Sequence, residues 1–413
     1  MEYDVIVIGG GPAGASSAYH CSKLGLKTIL LEKQVQSRDK PCGGALSDRC
    51  LPLLGENARN AINCRIEELR VYSPDLKSFR FVKNQGSFVL RRVFDQALVR
   101  DAQNAGTDIR YETKAISIIL TLGGMYTVDV ISAGQKEQAV TGRFVILACG
   151  LQDNRLIKHI KDKNGNYLQA ICPQNEKDYL AICMNSESEI DNNLLNDSES
   201  GFTPKTLGIF FGAVPNGYGW CFTKDGYINI GVGCTASLLN QVKIKNAYDS
   251  FLNTLRVAHI IPQGLVLNSP RVYPLPFKHT ARETVFGNIL LVGDAAGFVS
   301  PVTGEGIYYS IKSGQLAAES IFNNIKHNLS LSLYQQKWKK AFGYDLNFWG
   351  FNLRNTIYKT KERMEFAVRL ACIDLSARKR VSEMIMGKRN YKKTILSSLL
   401  ILPQCILKFF YKK

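Results

Sequence analysis

A chain of 413 residues, 45% hydrophobic and 21% charged, is long enough for two or three domains with a sizeable core, which excludes a disordered or fibrous protein. Its 11 cysteines are odd in number and show no C-x-x-C spacing, which argues against a zinc site or disulfide framework and for reduced thiols in a cytosolic protein. The formal net charge of +17 calls for nucleic acid, an anionic lipid surface, or simply a solvated basic face.

The opening Met1-Glu2-Tyr3-Asp4 is acidic and immediately structural, so no secretory leader is expected. Val5–Ile8 form an apolar run that reads as a buried strand. It leads into G-x-G-x-x-G at Gly9, Gly11 and Gly14. In a dinucleotide site the first glycine permits the tight turn and the second lets a pyrophosphate approach the backbone. The third lets the next helix, here about Ala13–Leu24, pack close to the strand. That helix aims its unpaired N–H groups at the phosphates. A second strand at Thr28–Leu31 ends in Glu32, placed to accept hydrogen bonds from a ribose. Strand, glycines, helix, strand and acid in this order predict a dinucleotide site.

Lys40-Pro41-Cys42-Gly43-Gly44-Ala45-Leu46 follows. Its paired glycines suit a loop lying flat against a planar ligand, or a turn around a buried structural cysteine. Arg91, expected at a strand end before an amphipathic helix at about Phe94–Ala105, could reach a phosphate or flavin edge or form a surface ion pair with Asp95. Strands are predicted at Asp108–Tyr111, Ala115–Leu120, Tyr126–Ile131 and Phe144–Leu147. Beyond residue 155 the pattern becomes that of an antiparallel sheet: Tyr179–Met184, Thr206–Gly212, Gly219–Phe222 and Tyr227–Gly233, with Ser186–Ser200 as a polar insertion. Tyr218, Trp220 and Phe222 share one face of a strand, as an apolar wall of either a core or a ligand pocket. Asn288–Gly293 then repeats the opening logic: a buried strand ends in Gly293-Asp294, and Gly304-Glu305-Gly306-Ile307 opens a long helix to about Asn324. Asp294 can accept from a ribityl or ribose hydroxyl, and the helix start offers N–H groups to an anionic ring edge. Two nucleotide-type stretches nearly 300 residues apart predict convergence on one large ligand, for which FAD is the economical choice. At the carboxy end, basic residues flank the apolar Ile395–Leu402 and the stretch from Ile406 to Tyr411, which Pro403 keeps too short to span a bilayer. Peripheral contact with anionic lipid is the expectation, and nucleic acid is not.

These stretches together resemble the geranylgeranyl reductase family of FAD-dependent oxidoreductases, within the para-hydroxybenzoate-hydroxylase-like flavoproteins. Gly9–Gly14 with Glu32 and Gly293–Ile307 are common to the superfamily, whereas the Cys-Gly-Gly loop and the Tyr-x-Trp-x-Phe strand are more specific to the reductases. The resemblance covers about residues 1–330. It implies an α/β fold in which a Rossmann-type FAD-binding domain (1–75, 91–155 and 280–330) is interleaved with an antiparallel-sheet substrate domain (76–90 and 156–279). A helical, basic region (331–413) would follow, with a membrane-contacting tail. It further implies that Ala13 and Glu32 contact the ADP half of FAD, and that Ala115 lies on the adenine side. Cys42, Gly43 and Ala45 would lie by the isoalloxazine and Arg91 would hold the flavin. Asp294 would take the ribityl chain, Gly306 with Ile307 the pyrimidine edge, and Tyr218 and Trp220 the lipid cavity. The chain departs from the superfamily at Ala148-Cys149-Gly150-Leu151-Gln152-Asp153, a segment associated with pyridine nucleotide, and has Phe222-Thr223 where Phe-Pro is usual. The electron donor could therefore be NAD(P)H or a ferredoxin-like protein.

The implied chemistry is hydride delivery from reduced flavin to a trisubstituted alkene of a polyprenyl lipid. A proton must reach the other carbon, because a carbocation in an apolar pocket is very costly, and Cys42 is the candidate to place it. The alternatives are a monooxygenase or halogenase on the same FAD frame, or a membrane-bound redox or lipid-binding flavoprotein without turnover. No Trp-x-Trp-x-Ile-Pro halogenase stretch occurs.

Overall fold

In the computed structural model, which describes all residues except 1, 83–84, 137, 152–155, 157–179, 197–201, 239–242, 278–282 and 401–413, the opening apolar run becomes the central strand Glu2–Ile8. It pairs in parallel with Thr28–Leu31 on one side and Val140–Leu147 on the other. Parallel strands covered on both faces read as unbroken apolar runs, and Val5, Ile6, Val7, Val145, Ile146 and Leu147 are accordingly fully buried. Asp108–Arg110 extends the sheet beyond Thr28–Leu31, and Ile289–Leu291 pairs in parallel with Val140–Leu147. An antiparallel ribbon of Thr113–Leu120, Tyr126–Ser132 and Gln135–Lys136 completes most of this nine-stranded sheet.

Two helices far apart in sequence, Pro12–Lys23 and Ile307–His327, are packed together on it. The Ser16 hydroxyl donates to the Ile311 carbonyl at 2.8 Å. A Cβ on Gly314 would lie 2.6 Å from the Ala13 carbonyl oxygen, so glycine is what lets the helices approach. His20, on the first of them, is pulled from 6.5 down to about 4, by burial first and then by the charges of Lys23 and Lys312. Between those values the unfolded chain binds a proton at His20 that the folded chain does not. Stability should therefore rise with pH from about 4 to 6.5 and level off above. His20→Asn is expected to remove roughly 2 kcal/mol of that rise, read as the difference between urea unfolding at pH 4.5 and pH 7; an unchanged pH dependence would refute it.

The second sheet has seven strands in the order Arg271–Pro276, Leu180–Glu189, Tyr227–Thr235, Tyr218–Thr223, Thr206–Phe211, Glu68–Tyr72 and Ser78–Val82. Every pairing is antiparallel except that of Thr206–Phe211 with Glu68–Tyr72. Glu68–Tyr72 thus belongs to this sheet although it precedes the expected boundary at residue 76. Its partner Ser78–Val82 follows after one turn, and a cut between them would divide a hairpin. A small third sheet is formed by Ala45–Leu46, Ser87–Val89 and Ile62–Arg65.

Residues 186–189, expected in a polar insertion, instead continue strand Leu180–Glu189. The two serines are buried with partners: the Ser186 and Tyr248 hydroxyls share a hydrogen bond at 2.7 Å, and the Ser188 hydroxyl accepts from the Asn268 N–H at 2.8 Å. The third difference is at Arg91, which is not at a strand end. Strand Ser87–Val89 stops earlier, and Arg91 opens the helix Arg91–Asn104, where an i,i+4 pair with Asp95 supports the first turn.

From residue 332 to residue 400 the chain is mainly helical. Ser332–Trp338 passes through π-helical turns at Lys339–Gly343 and Asp345–Gly350 into Phe351–Ile357, followed by Lys361–Ile373 and Leu375–Ile385. A last helical stretch runs over 391–400, its first N–H groups capped by the Asp345 carboxylate at 2.8–2.9 Å. Among the described residues no helix is long and apolar enough to cross a membrane. The rest of the expected membrane-contacting tail, with Gln152 and Asp153 of the departing segment, falls outside the described residues.

Candidate functional site

A cavity of about 460 Å³ is lined by residues from both large sheets and from the first turns of three helices. This is within the range of ligand sites. At its amino-terminal edge the chain turns at Gly9, whose φ of +107° suits glycine, and where a Cβ would meet the Ala148 carbonyl oxygen at 2.4 Å. A Cβ on Gly14 would lie 1.8 Å from the Gly9 carbonyl oxygen, so the helix can begin this close to the strand only with glycine there. No side chain caps the helix at Gly11, which leaves its first N–H groups to the cavity that Gly11, Pro12 and Ala13 line. Glu32 is buried and accepts from the Gly10 N–H at 2.6 Å and the Gln34 N–H at 2.9 Å. These two bonds fix the carboxylate across the glycine turn and leave it further acceptor positions. Ala115 lines the same end.

In the middle, the Cys42-Gly43-Gly44 loop crosses in front of the seven-stranded sheet. The Gly44 N–H meets the Cys42 sulfur at 3.4 Å. A Cβ on Gly43 would run into the Phe222 ring at 2.6 Å, and one on Gly44 into the Val89 carbonyl oxygen at 2.2 Å. Arg91, buried, makes two hydrogen bonds to Asp95 at 2.8 and 2.6 Å and faces the Cys42 thiol. Burial opposes its charge, but the Asp95 carboxylate outweighs this and holds the guanidinium above its ordinary value. Burial likewise disfavours the Asp95 carboxylate, yet Arg91 and Arg38 draw it below the usual range. Lys40 reaches across the cavity to Asp294 at 2.8 Å and lies 4.3 Å from the centre of the Tyr273 ring. The carboxylate more than offsets the burial, raising the ammonium.

At the far wall, Tyr218, Trp220 and Phe222 project from alternate positions of strand Tyr218–Thr223, their adjacent ring centres 6.0 and 6.3 Å apart. The Tyr218 hydroxyl donates to the Thr303 carbonyl at 2.6 Å, and the Trp220 indole N–H to the Asn229 side-chain oxygen at 2.8 Å. Each ring therefore turns an apolar face to the cavity with its polar tip satisfied. Cys183 also faces the cavity, and burial pushes its thiol up to about 12. Gly306 and Ile307 close the cavity at the start of Ile307–His327, whose amino end again lacks a side-chain cap.

Every residue singled out from sequence lines this one cavity except Gly14, which sits behind Gly9. Lys40, Arg38, Cys183 and Asn229 have no role in that reading. Their partners are remote in sequence, Lys40 from Asp294 by 254 positions and Asn229 from Cys42 by 187, and only the fold pairs them. Two uncapped helix starts, a ribose-type acid and Asp294 around one cavity fit a dinucleotide flavin: anionic groups would be held by backbone N–H and hydroxyls by carboxylates.

The FAD dependent oxidoreductase family profile matches residues 4–153. The digeranylgeranylglycerophospholipid reductase of Methanococcus aeolicus is 30% identical over 359 residues, covering 83% of both chains. That of Methanocaldococcus jannaschii is 30% identical over 352 residues, covering 82% of both. Among solved structures, a geranylgeranyl bacteriochlorophyll reductase-like protein from Thermoplasma acidophilum shares the fold with a TM-score of 0.76 at 21% identity, over 96% of this chain and 98% of that one. The flavin-dependent brominase Bmp2 shares it at 0.68 and 17% identity, with full coverage of both. The chain belongs to the geranylgeranyl reductase family and is an FAD-dependent oxidoreductase.

Proposed function

We propose that this enzyme saturates C=C bonds in the isoprenoid chain of a geranylgeranyl-type lipid. The observation that carries the reading is the meeting of the Cys42-Gly43-Gly44 loop with the Tyr218, Trp220 and Phe222 wall in the cavity that Gly9, Gly11 and Ala13 open. The names of the relatives, reductases of digeranylgeranylglycerophospholipid, point to the same substrate class.

In this reading Gly9, Gly11 and Ala13 hold the diphosphate of FAD, Glu32 and Ala115 the adenosine end, and Asp294 with Gly306 and Ile307 the other half. When bound, FAD supplies the hydride chemistry. The chain's own work is to exclude water, orient the alkene and provide a proton. Tyr218 and Trp220 form the apolar face on which a polyprenyl chain lies. Cys42 gives its proton to the carbon that does not receive hydride, so that no cation persists in the pocket. Arg91, beside Cys42, offers positive charge to the sulfur when the proton leaves. Electrons come from NAD(P)H or a ferredoxin-like donor.

Peripheral membrane contact is part of the proposal. On helical residues 391–400, Leu396, Leu399 and Leu400 are exposed, the last at 82%, on the helix that carries exposed Lys392 and Lys393. Exposed leucines with nearby lysines suit a helix lying at a lipid surface.

An anaerobic single turnover tests the activity. The holoenzyme is reduced with dithionite and mixed with a geranylgeranyl lipid, flavin reoxidation is followed, and the product is weighed. Reoxidation without oxygen, with a product heavier by pairs of hydrogens, is expected. A flavin that stays reduced until oxygen enters, with a product heavier by one oxygen, would make the enzyme a monooxygenase instead.

A further inference from the structure

Behind the Cys42 loop, within the seven-stranded sheet, lies a polar cluster with no place in the proposal so far. Asn229, fully buried on strand Tyr227–Thr235, uses both ends of its amide. Its oxygen accepts from the Trp220 indole N–H at 2.8 Å. Its nitrogen donates to the Cys42 carbonyl at 3.1 Å and to the Glu187 carboxylate at 3.3 Å. Glu187 in turn pairs with the fully buried Lys224, whose ammonium also donates to the Val89 carbonyl at 3.0 Å. A Cβ on Gly44 would lie 2.8 Å from that ammonium nitrogen, so the loop is seated directly on the cluster.

An apolar residue at 229 would leave the Trp220 N–H and the Cys42 carbonyl without these partners, and a buried ammonium is costly to retain. The geometry points to a positioning role: Asn229 ties the backbone of Cys42 to the indole of Trp220, so that the proton-donating thiol and the lipid wall are held in one fixed relation. This is why one amide bonds to both of the family-type stretches at once. The inference rests on the function proposed above, and its test separates the two.

Asn229→Leu is made in the holoenzyme and in the Cys42→Ser background, with Asn229→Ser as a second, smaller variant should the leucine not fold. The first readout is independent of turnover: the rate at which N-ethylmaleimide labels Cys42, followed by peptide mass mapping with FAD bound. With the loop untethered, Cys42 should label at least severalfold faster while the flavin stoichiometry is kept. The second is single-turnover reoxidation by lipid. It should slow tenfold or more with little change in the lipid concentration needed for half-maximal rate, and the substitution should add nothing when Cys42 is already serine, as for residues that act as a unit. Unchanged labelling of Cys42 in both variants would overturn the inference, as would a loss that multiplies with that of Cys42→Ser. If the unsubstituted enzyme fails to reduce the lipid, the proposed function falls, and the labelling rate alone still decides the role of Asn229.

Discussion

Cys42→Ser is expected to slow anaerobic flavin reoxidation by a geranylgeranyl lipid about 10²–10⁴-fold, the range ordinarily lost with a general acid. Serine keeps the size of the side chain and its place next to the Gly44 N–H, now 3.4 Å from sulfur. An alcohol holds its proton far more tightly than a thiol does, so the step that suffers is proton delivery to carbon. Binding of FAD should persist, because the glycine turn at Gly9, the acid at Glu32 and the helix start at Gly306 are untouched. Reoxidation by dioxygen provides the control, since it makes no demand on a proton for the alkene. A variant that reduces lipid at the original rate would remove Cys42 from the chemistry and leave it as packing for the ring.

The second large effect is on stability. Lys224→Met breaks an ion pair whose ammonium is fully buried against Glu187 and the Val89 carbonyl. Removing one member of such a pair typically costs about 3–5 kcal/mol, because the remaining charge is left uncompensated. The lower end is expected here, since the Glu187 side chain keeps 21% of its surface exposed and can recover some hydration. The double variant Lys224→Met/Glu187→Leu replaces both charges by apolar groups of similar volume and should regain much of the loss. Urea unfolding of the three proteins measures this directly. A single variant within 1 kcal/mol of the original would mean that the pair contributes little.

What could be read from the sequence was local in the chain. Val5–Ile8, the glycines to Gly14 and the acid at Glu32 fall within one βαβ unit, so strand period, turn and helix start specify one another at short range. The Tyr218, Trp220 and Phe222 wall was legible for the same reason, as period-two alternation within a single strand. Positions that depend on a remote partner were read incompletely. Arg91 could be assigned as a flavin contact or an ion pair, and it does line the cavity, yet its Asp95 partner is also claimed by Arg38 from 57 residues upstream. Ser186–Ser188 look like loop because serine and glutamate are polar. Burial becomes tolerable only through Tyr248, Asn268 and Lys224, none of which is adjacent in sequence. The boundary at residue 76 was misplaced because Glu68–Tyr72 joins Thr206–Phe211 across well over a hundred residues, and no periodicity reports that pairing.

The partnership of helix Pro12–Lys23 with Ile307–His327, and of strand Val140–Leu147 with Ile289–Leu291, also governs the order in which a ribosome can complete this protein. The strand edge at Val145–Leu147 has emerged long before the segment that covers it. At roughly 5–20 residues per second, its partner strand and the covering helix follow about 10–35 s later. During that interval the nascent amino-terminal third displays an unpaired, fully apolar strand edge and an open helix face. Such a surface invites association with other chains, so synthesis of this enzyme should lean on holding chaperones. A fragment ending near residue 153, although it spans the whole flavin-family match, would be expected to aggregate rather than fold alone.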